Sequence, residues 1–284
     1  MYKRVLVGTD LSPTAEKATE RAAVLSSRLD ADLVVVHAGR DQDGVDQVAK
    51  RHGGRGVAVS GPPAEVLVSQ AEAQNADLIV VGSIGMSGAK RFMLGNVPNK
   101  VSHHAPTDVL IVKTNVARSD TEFRKILVGT DGSPTAMRAV DMAAELAKAL
   151  EAALSIVCVY EPPSEQELEQ LRADPADPVA QWNVGRVVRG VPEEFKWKIA
   201  GATEAEDVLE RSAERASKFG VDAQVEAIRG NPAEELIAYA ERGKFDLIAV
   251  GSVGMSGAKR FMLGNVPHRI SHHAPTDVLI LRTS

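Results

Sequence analysis

The sequence predicts two α/β domains in tandem, each a doubly wound, five-stranded parallel sheet. Three observations carry that expectation. A chain of 284 residues has room for about two domains, at roughly 150 residues each. Its two halves repeat one another. Within each half, short and almost wholly apolar runs alternate with segments of helical periodicity. The repeat governs the rest of the reading. Arg4-Val5-Leu6-Val7-Gly8-Thr9-Asp10 returns 121 residues later as Lys125-Ile126-Leu127-Val128-Gly129-Thr130-Asp131. Gly82 to Ile111 returns 169 residues later as Gly251 to Ile280. Only four of those 30 positions differ: Ile84/Val253, Asn99/His268, Lys100/Arg269 and Val101/Ile270. The unequal offsets give the second copy 48 more residues, between Tyr160 and Val221. The domains are therefore expected over 1–116 and 122–284, joined by a polar stretch around Lys113–Thr121.

The elements follow in order. In the first copy, Lys3–Gly8 and Asp32–Ala38 read as strands rich in Val and Leu. Gly56–Ser60 is a weaker strand, and Asp77–Val81 and Asp108–Lys113 are strong ones. Thr14–Leu29 is helical, with Ala15, Ala18, Ala22, Leu25 and Leu29 on one face, and Ala64–Gln74 is similar. Ser12-Pro13 suits a helix start, with Ser12 as cap and Pro13 in the first turn. Near-continuous apolar strands separated by helices indicate a parallel sheet covered on both faces. The second copy repeats the order with Lys125–Gly129, Leu154–Tyr160, Ala223–Ile228, Asp246–Val250 and Asp277–Arg282. Between the second and third strands the first copy has room for one short helix, in 39–55. The second has 161–220, which opens acidic and proline-punctuated and ends in a helix over Ala205–Phe219. Both tryptophans, Trp182 and Trp197, lie in it. It reads either as a surface excursion packed onto its domain or as a lid or partner surface.

Composition narrows the class. Hydrophobic residues make up 44% and charged residues 25%, with a net charge of −5. That balance lacks the positive field of a non-specific nucleic-acid binder. A single cysteine, Cys158, excludes an internal disulfide framework and a cysteine-based zinc site. No apolar run approaches the ~18–20 residues that span a bilayer, and the apolar start is too short for a signal-peptide core. The expectation is a cytoplasmic protein without membrane or nucleic-acid partners.

In doubly wound sheets, ligands sit outside the carboxyl ends of the strands, where the strand order reverses. The unusual residues fall at such ends. The first strand runs into Thr9-Asp10, and its copy into Thr130-Asp131. An acid there can accept hydrogen bonds from ribose hydroxyls or an adenine amino group, or it can simply hold a turn. The fourth strand runs into Gly82-Ser83-Ile84-Gly85-Met86-Ser87-Gly88 and then Ala89-Lys90-Arg91-Phe92-Met93-Leu94-Gly95-Asn96-Val97. Its copy is Gly251-Ser252-Val253-Gly254-Met255-Ser256-Gly257, followed by Ala258-Lys259-Arg260-Phe261-Met262-Leu263-Gly264-Asn265-Val266. A glycine-rich loop that closes on a helix start near Asn96 suits an anion, because open amides and the helix end point at it. Lys90, Arg91, Lys259 and Arg260 would add charge at the phosphates. The alternative is a long glycine-rich connection with a solvated basic pair. The Walker pattern fails at Ala89-Lys90-Arg91, and no GxGxxG follows the first strand. The pairs His103-His104 and His272-His273 are poorly placed to chelate, since neighbours on a helix point about 100° apart. No metal site is expected, and Cys158 reads as a packed strand residue.

The spacing Gly82-x2-Gly85-x9-Gly95-Asn96, and again Gly251-x2-Gly254-x9-Gly264-Asn265, resembles the G-x2-G-x9-G-[ST] signature of the ATP-binding universal stress proteins. The Thr9-Asp10 and Ser12 opening and the Pro106 and Val109–Val112 ending resemble the same family. The likeness covers nearly the whole chain, so the chain resembles a tandem member. It implies a Rossmann-like, adenine nucleotide alpha hydrolase-like fold and a bound ATP or AMP, with or without Mg. By resemblance, Asp10 and Asp131 contact the nucleoside, with Thr9 and Thr130 beside them as nucleotide-binding candidates. Ala38 and Val159, past the second strands, offer backbone to adenine. The glycines, with Ser83 and Ser252, cradle ribose and phosphates, and Met86, Met255, Val97 and Val266 are further nucleotide-binding candidates. One departure stands out: the family's last Ser or Thr is Asn96 and Asn265 here. Asn can donate to phosphate from a different place, or cap the helix. The resemblance further implies pairing of domains through the last strands and a homodimer. Three functions stay open: a nucleotide-binding stress-response regulator, a slow ATPase, or an interaction module without nucleotide. The loop holds no carboxylate to position a water, so fast hydrolysis is not expected.

Overall fold

A computed structural model of the chain describes residues 1–84, 94–114, 121–160, 193–252 and 263–282, with backbone alone for 193–203. The first half runs β1 (Arg4–Thr9), α1 (Pro13–Leu29), β2 (Asp32–His37), α2 (Gln42–Arg51), β3 (Arg55–Ala58), α3 (Pro63–Ala73), β4 (Leu78–Gly82), α4 (Asn96–His104) and β5 (Asp108–Val112). The second runs β6 (Lys125–Thr130), α5 (Pro134–Leu150), β7 (Ala153–Tyr160), α6 (Glu193–Lys218), β8 (Gln224–Arg229), α7 (Pro232–Gly243), β9 (Leu247–Gly251), α8 (Asn265–His273) and β10 (Asp277–Leu281). The expected strands and helices are all present, shifted by a residue or so at their ends. The exception is α6, which begins twelve residues before the expected Ala205. Ser12 caps α1 as expected, accepting the Ala15 N–H on its Oγ at 3.2 Å.

The strands form one ten-stranded sheet in the order β3-β2-β1-β4-β5-β10-β9-β6-β7-β8. Within each half every pairing is parallel. Alternation along the strands explains the two covered faces. Val5 and Val7 of β1 face a core shared with α1, α2, α5 and α6, while Leu6 faces the core under α3, α4, α7 and α8. Each core runs unbroken across both halves, because the chain buries apolar surface on both sides of the sheet.

The halves meet at β5 and β10, the only antiparallel pairing among the described strands. Leu110 pairs with Leu279, its own counterpart in the repeat, so a local twofold axis passes between them. Carboxylates bolt this seam from both sides. Asp108 Oδ1 accepts the backbone N–H of Arg282 at 2.7 Å, and Asp277 Oδ1 accepts that of Lys113 at 2.8 Å. Arg282 donates to Ser102 O at 2.6 Å, and the Lys113 amine to Ser271 O at 2.7 Å. The pairing through last strands thus occurs within a single chain.

The second carboxylates are satisfied differently. Tyr2 donates to Asp108 at 2.8 Å. Arg21 reaches Asp277 at 3.0 Å with both side chains almost fully buried. The Arg21 guanidinium also donates to Glu122 O and lies over the Phe123 ring at 4.4 Å, so α1 holds the start of the second half. Stranding one member of a buried ion pair costs about 3–5 kcal/mol. Arg21→Met is therefore expected to lower the unfolding free energy by about that much in urea titrations, and Arg21→Met with Asp277→Asn to recover part of it. A cost under about 1 kcal/mol for the single change would show that the seam does not depend on this pair.

Candidate functional site

The strand order of each half reverses between β1 and β4 in the first and between β6 and β9 in the second, and a cleft opens at each reversal. The first cleft, about 610 Å³, is lined by Gly8, Thr9 and Asp10 after β1 and by His37 and Ala38 after β2. Gly82 after β4 and Gly95, Asn96 and Val97 at the start of α4 complete its polar wall. Pro63 and Leu67 of α3, with Val36 and Val81, supply an apolar floor. The second cleft, about 320 Å³, carries the matching residues: Thr130, Asp131, Val159, Gly251, Gly264, Asn265 and Val266, over Pro232 and Leu236. Volumes of roughly 300–1,000 Å³ are those of small-molecule sites.

The floor depends on a glycine at the end of the first strand. A Cβ on Gly8 would come within 2.7 Å of Leu67, and one on Gly129 within 2.6 Å of Leu236. Glycine lets those leucines cross under the cleft.

The acid holds a turn. Asp10 Oδ1 accepts the Ser12 N–H at 3.1 Å, and Thr9 Oγ1 accepts the Leu11 N–H at 3.0 Å. Asp131 and Thr130 do the same for Ser133 and Gly132. The turn reading of these acids therefore holds, and the turn fixes them on the cleft wall. It also requires a left-handed residue: Leu11 at φ 62° in one half and Gly132 at φ 76° in the other. Leu11 sits where a β-carbon is disfavoured by about 1–2 kcal/mol.

Next to the acid the halves differ. Register places His37 beside Thr9 and Cys158 beside Thr130. His37 Nδ1 lies 3.1 Å from Thr9 O. A carbonyl only accepts, so Nδ1 carries the proton in this contact. Burial, then the neighbouring Asp131, push the Cys158 thiol up to about 11. It stays a thiol at neutral pH, a packed strand residue rather than a nucleophile.

Opposite the acid, α4 and α8 begin without a side-chain cap. Gly95 and Gly264 are the cap residues, so Asn96 and Asn265 occupy the first helical position and do not cap it. The first N–H groups of a helix have no intrahelical partner. Those of Asn96 and Val97 stand at the cleft wall, with the positive end of the helix behind them.

Ser83 and Ser252 are buried and line neither cleft. Ser83 Oγ instead accepts the Thr114 N–H at 3.2 Å. Gly85, Met86, Gly88, Lys90 and Arg91 lie outside the described residues, as do Gly254, Met255, Gly257, Lys259, Arg260 and Trp182. Among the described residues no three His, Cys, Asp or Glu side chains form a metal-ligand group, and no helix is long and apolar enough to cross a membrane. Reading the sequence missed the α3 and α7 side of the site. The signal is there: Gly61-Pro62-Pro63-Ala64-Glu65-Val66-Leu67 returns as Gly230-Asn231-Pro232-Ala233-Glu234-Glu235-Leu236.

Fold and site together define a tandem α/β protein with one cleft per half. The sequence profile of the universal stress protein family matches residues 1–52, 46–113 and 122–282, and the chain belongs to that family. It is 35% identical over 162 residues to universal stress protein YxiE of Bacillus subtilis, covering 56% of this chain and 99% of the relative. It is 34% identical over 163 residues to a universal stress protein of Mycobacterium tuberculosis, covering 57% and 98%. Among solved structures, a universal stress protein from Archaeoglobus fulgidus aligns over 99% of this chain and 98% of its own, at 19% identity and TM-score 0.64. A putative universal stress protein from Pseudomonas aeruginosa aligns over 99% and 93%, at 16% identity and TM-score 0.66. These structures share the fold.

The left-handed turn beside each acid gives a test. A Cβ on Gly132 would meet Val208 of α6 at 2.6 Å, on a backbone that disfavours it anyway. Gly132→Ala is expected to cost about 1–2 kcal/mol in thermal or urea unfolding. An unchanged or raised stability would contradict the turn described here.

Proposed function

We propose that the chain binds an adenine nucleotide, ATP or AMP, in each of its two clefts and serves as a nucleotide-responsive regulator in the stress response. One observation carries the reading: an apolar slot lies between an anchored carboxylate and an uncapped helix start, and the chain builds it twice. That order suits a nucleoside followed by phosphate. The carboxylates of Asp10 and Asp131 accept from ribose hydroxyls or the adenine amine. Leu67 and Leu236 underlie the base, and backbone beside Ala38 and Val159 meets its edge. The first amides of α4 and α8 take a phosphate, as helix starts do. The basic pairs Lys90-Arg91 and Lys259-Arg260 belong to the same proposal as phosphate contacts.

Asn96 and Asn265 allow backbone and side chain to be tested apart. Their predecessors are extended, as proline requires of the residue before it, and proline is favoured at the first helical position. Asn96→Pro with Asn265→Pro removes one amide donor per cleft while keeping the helices. Calorimetry is expected to show at least about tenfold weaker ATP or AMP binding, the scale of one charge-assisted hydrogen bond. Asn→Ala at both sites, which keeps the backbone donors, is expected to cost less. Equal affinity of the proline variant and the native chain would remove the helix starts from the site. Asp10→Ala with Asp131→Ala is expected to weaken AMP and ATP alike, because the acids face the nucleoside rather than the phosphates.

A further inference from the structure

Helices α4 and α8 each run from a cleft to the seam between the halves. Nine residues of helix span about 14 Å. His103 near the end of α4, His268 in the first turn of α8 and His272 near the end of α8 come together around the local twofold axis. The His103 ring lies 5.7 Å from that of His268 across the seam, and His268 lies 4.5 Å from His272, one turn further along α8. His268 is one of the four differences between the repeated blocks; its counterpart on α4 is Asn99. Three atoms of this group, Asn99 Oδ1, His268 Nδ1 and His272 Nε2, are buried without a hydrogen-bond partner.

Cations surround the group. Among the described residues, His103 faces His104 on its own helix, His268 on α8 and Arg282 at the end of β10. His272 faces His268 and His273 on α8, Lys113 at the end of β5 and His103 on α4. The nearby acids, Asp108 and Asp277, are engaged with the backbone N–H groups of Arg282 and Lys113. Arg269 turns away to Glu234 of α7 at 2.7 Å. Flanking cations also disfavour a divalent metal here. The surroundings tolerate neutral imidazoles and oppose charged ones. Burial first, then these neighbours, hold His103 below its usual value and push His272 down to about 4.

We propose that this cluster is an acid-operated latch: neutral imidazoles close α4 onto α8 at the seam, and protonated ones force the two helices apart. The direction follows from linkage. An unfolded histidine takes up its proton near pH 6.5, above the folded value, so the closed state loses stability as pH falls from about 6.5 towards 4. The same helices present the cleft amides at their starts, and His268 lies in the first turn of α8, so opening would also loosen bound nucleotide. That coupling rests on the nucleotide reading of the clefts; the latch does not.

Hydrogen exchange followed by mass spectrometry, corrected for the intrinsic effect of pH, tests the latch on the full chain without ligand. Between pH 7.5 and 5.0, protection of 96–104 and 265–273 is expected to fall at least about tenfold relative to α1 and α5, a discounted value for partly exposed rings. His103→Gln/His268→Asn/His272→Gln is expected to abolish most of that loss. His268→Asn alone, which places on α8 the residue that α4 already carries, is expected to reduce it and keeps the test open if the triple variant does not fold. No loss in the native chain, or an equal loss in the single variant, overturns the latch. So does a ring-proton titration that places His103 and His272 at or above 6.5. Nucleotide affinity measured at both pH values separates the two ideas. No nucleotide at either pH counts against the cleft reading, while the exchange result decides the latch.

Discussion

The antiparallel contact between β5 and β10 is the constraint on which the rest of the molecule depends. Each five-stranded half would otherwise end in an open edge, with unpaired backbone groups and apolar strand residues exposed. Joining the halves at those edges produces one sheet and two continuous cores. The seam is specified by charge as much as by burial. Asp108 and Asp277 each accept a backbone N–H from the opposite half, and Arg282 and Lys113 each donate to the opposite helix. A slip in register would strand buried charges on both sides of the axis, which makes alternative pairings costly.

From that seam the position of the clefts follows. β4 and β9 lie next to the seam strands, and the chain turns there from β4 into α4 and from β9 into α8. The uncapped helix starts therefore face the acids of β1 and β6 across the reversal in strand order. The duplication has kept the frame and changed what surrounds it. His37 stands against Cys158, Leu11 against Gly132, and α2 against the longer α6. Such differences bear on the two clefts separately, whereas Asn99 and His268 differ at the axis, where both halves meet.

Much of this was legible in the sequence because it is local. Near-continuous apolar runs and helical periodicity mark the strands and helices, Ser12-Pro13 marks a helix start, and the repeated Thr-Asp and Gly-Asn segments mark both cleft walls. What escaped was long-range. The Asp277–Lys113 hydrogen bond joins residues 164 apart, and no periodicity announces it. Gly8 reads as any strand-end glycine, and only the fold brings Leu67 beneath it. The paired histidines read as neighbours on one helix, but His103 meets His268 of the other helix, and His272 meets that same His268 one turn away on its own. Asn96 resembled a cap because capping is decided by one residue's backbone angles, and Gly95 takes that place.

The central claim is that both clefts hold an adenine nucleotide. The most direct test is to denature freshly purified protein and identify any released nucleotide by mass spectrometry, with its molar ratio to chain, and to titrate the emptied protein with ATP and AMP by calorimetry. The account predicts ATP or AMP with two binding sites per chain. An empty protein that binds neither nucleotide would contradict it and leave the repeated clefts as architecture.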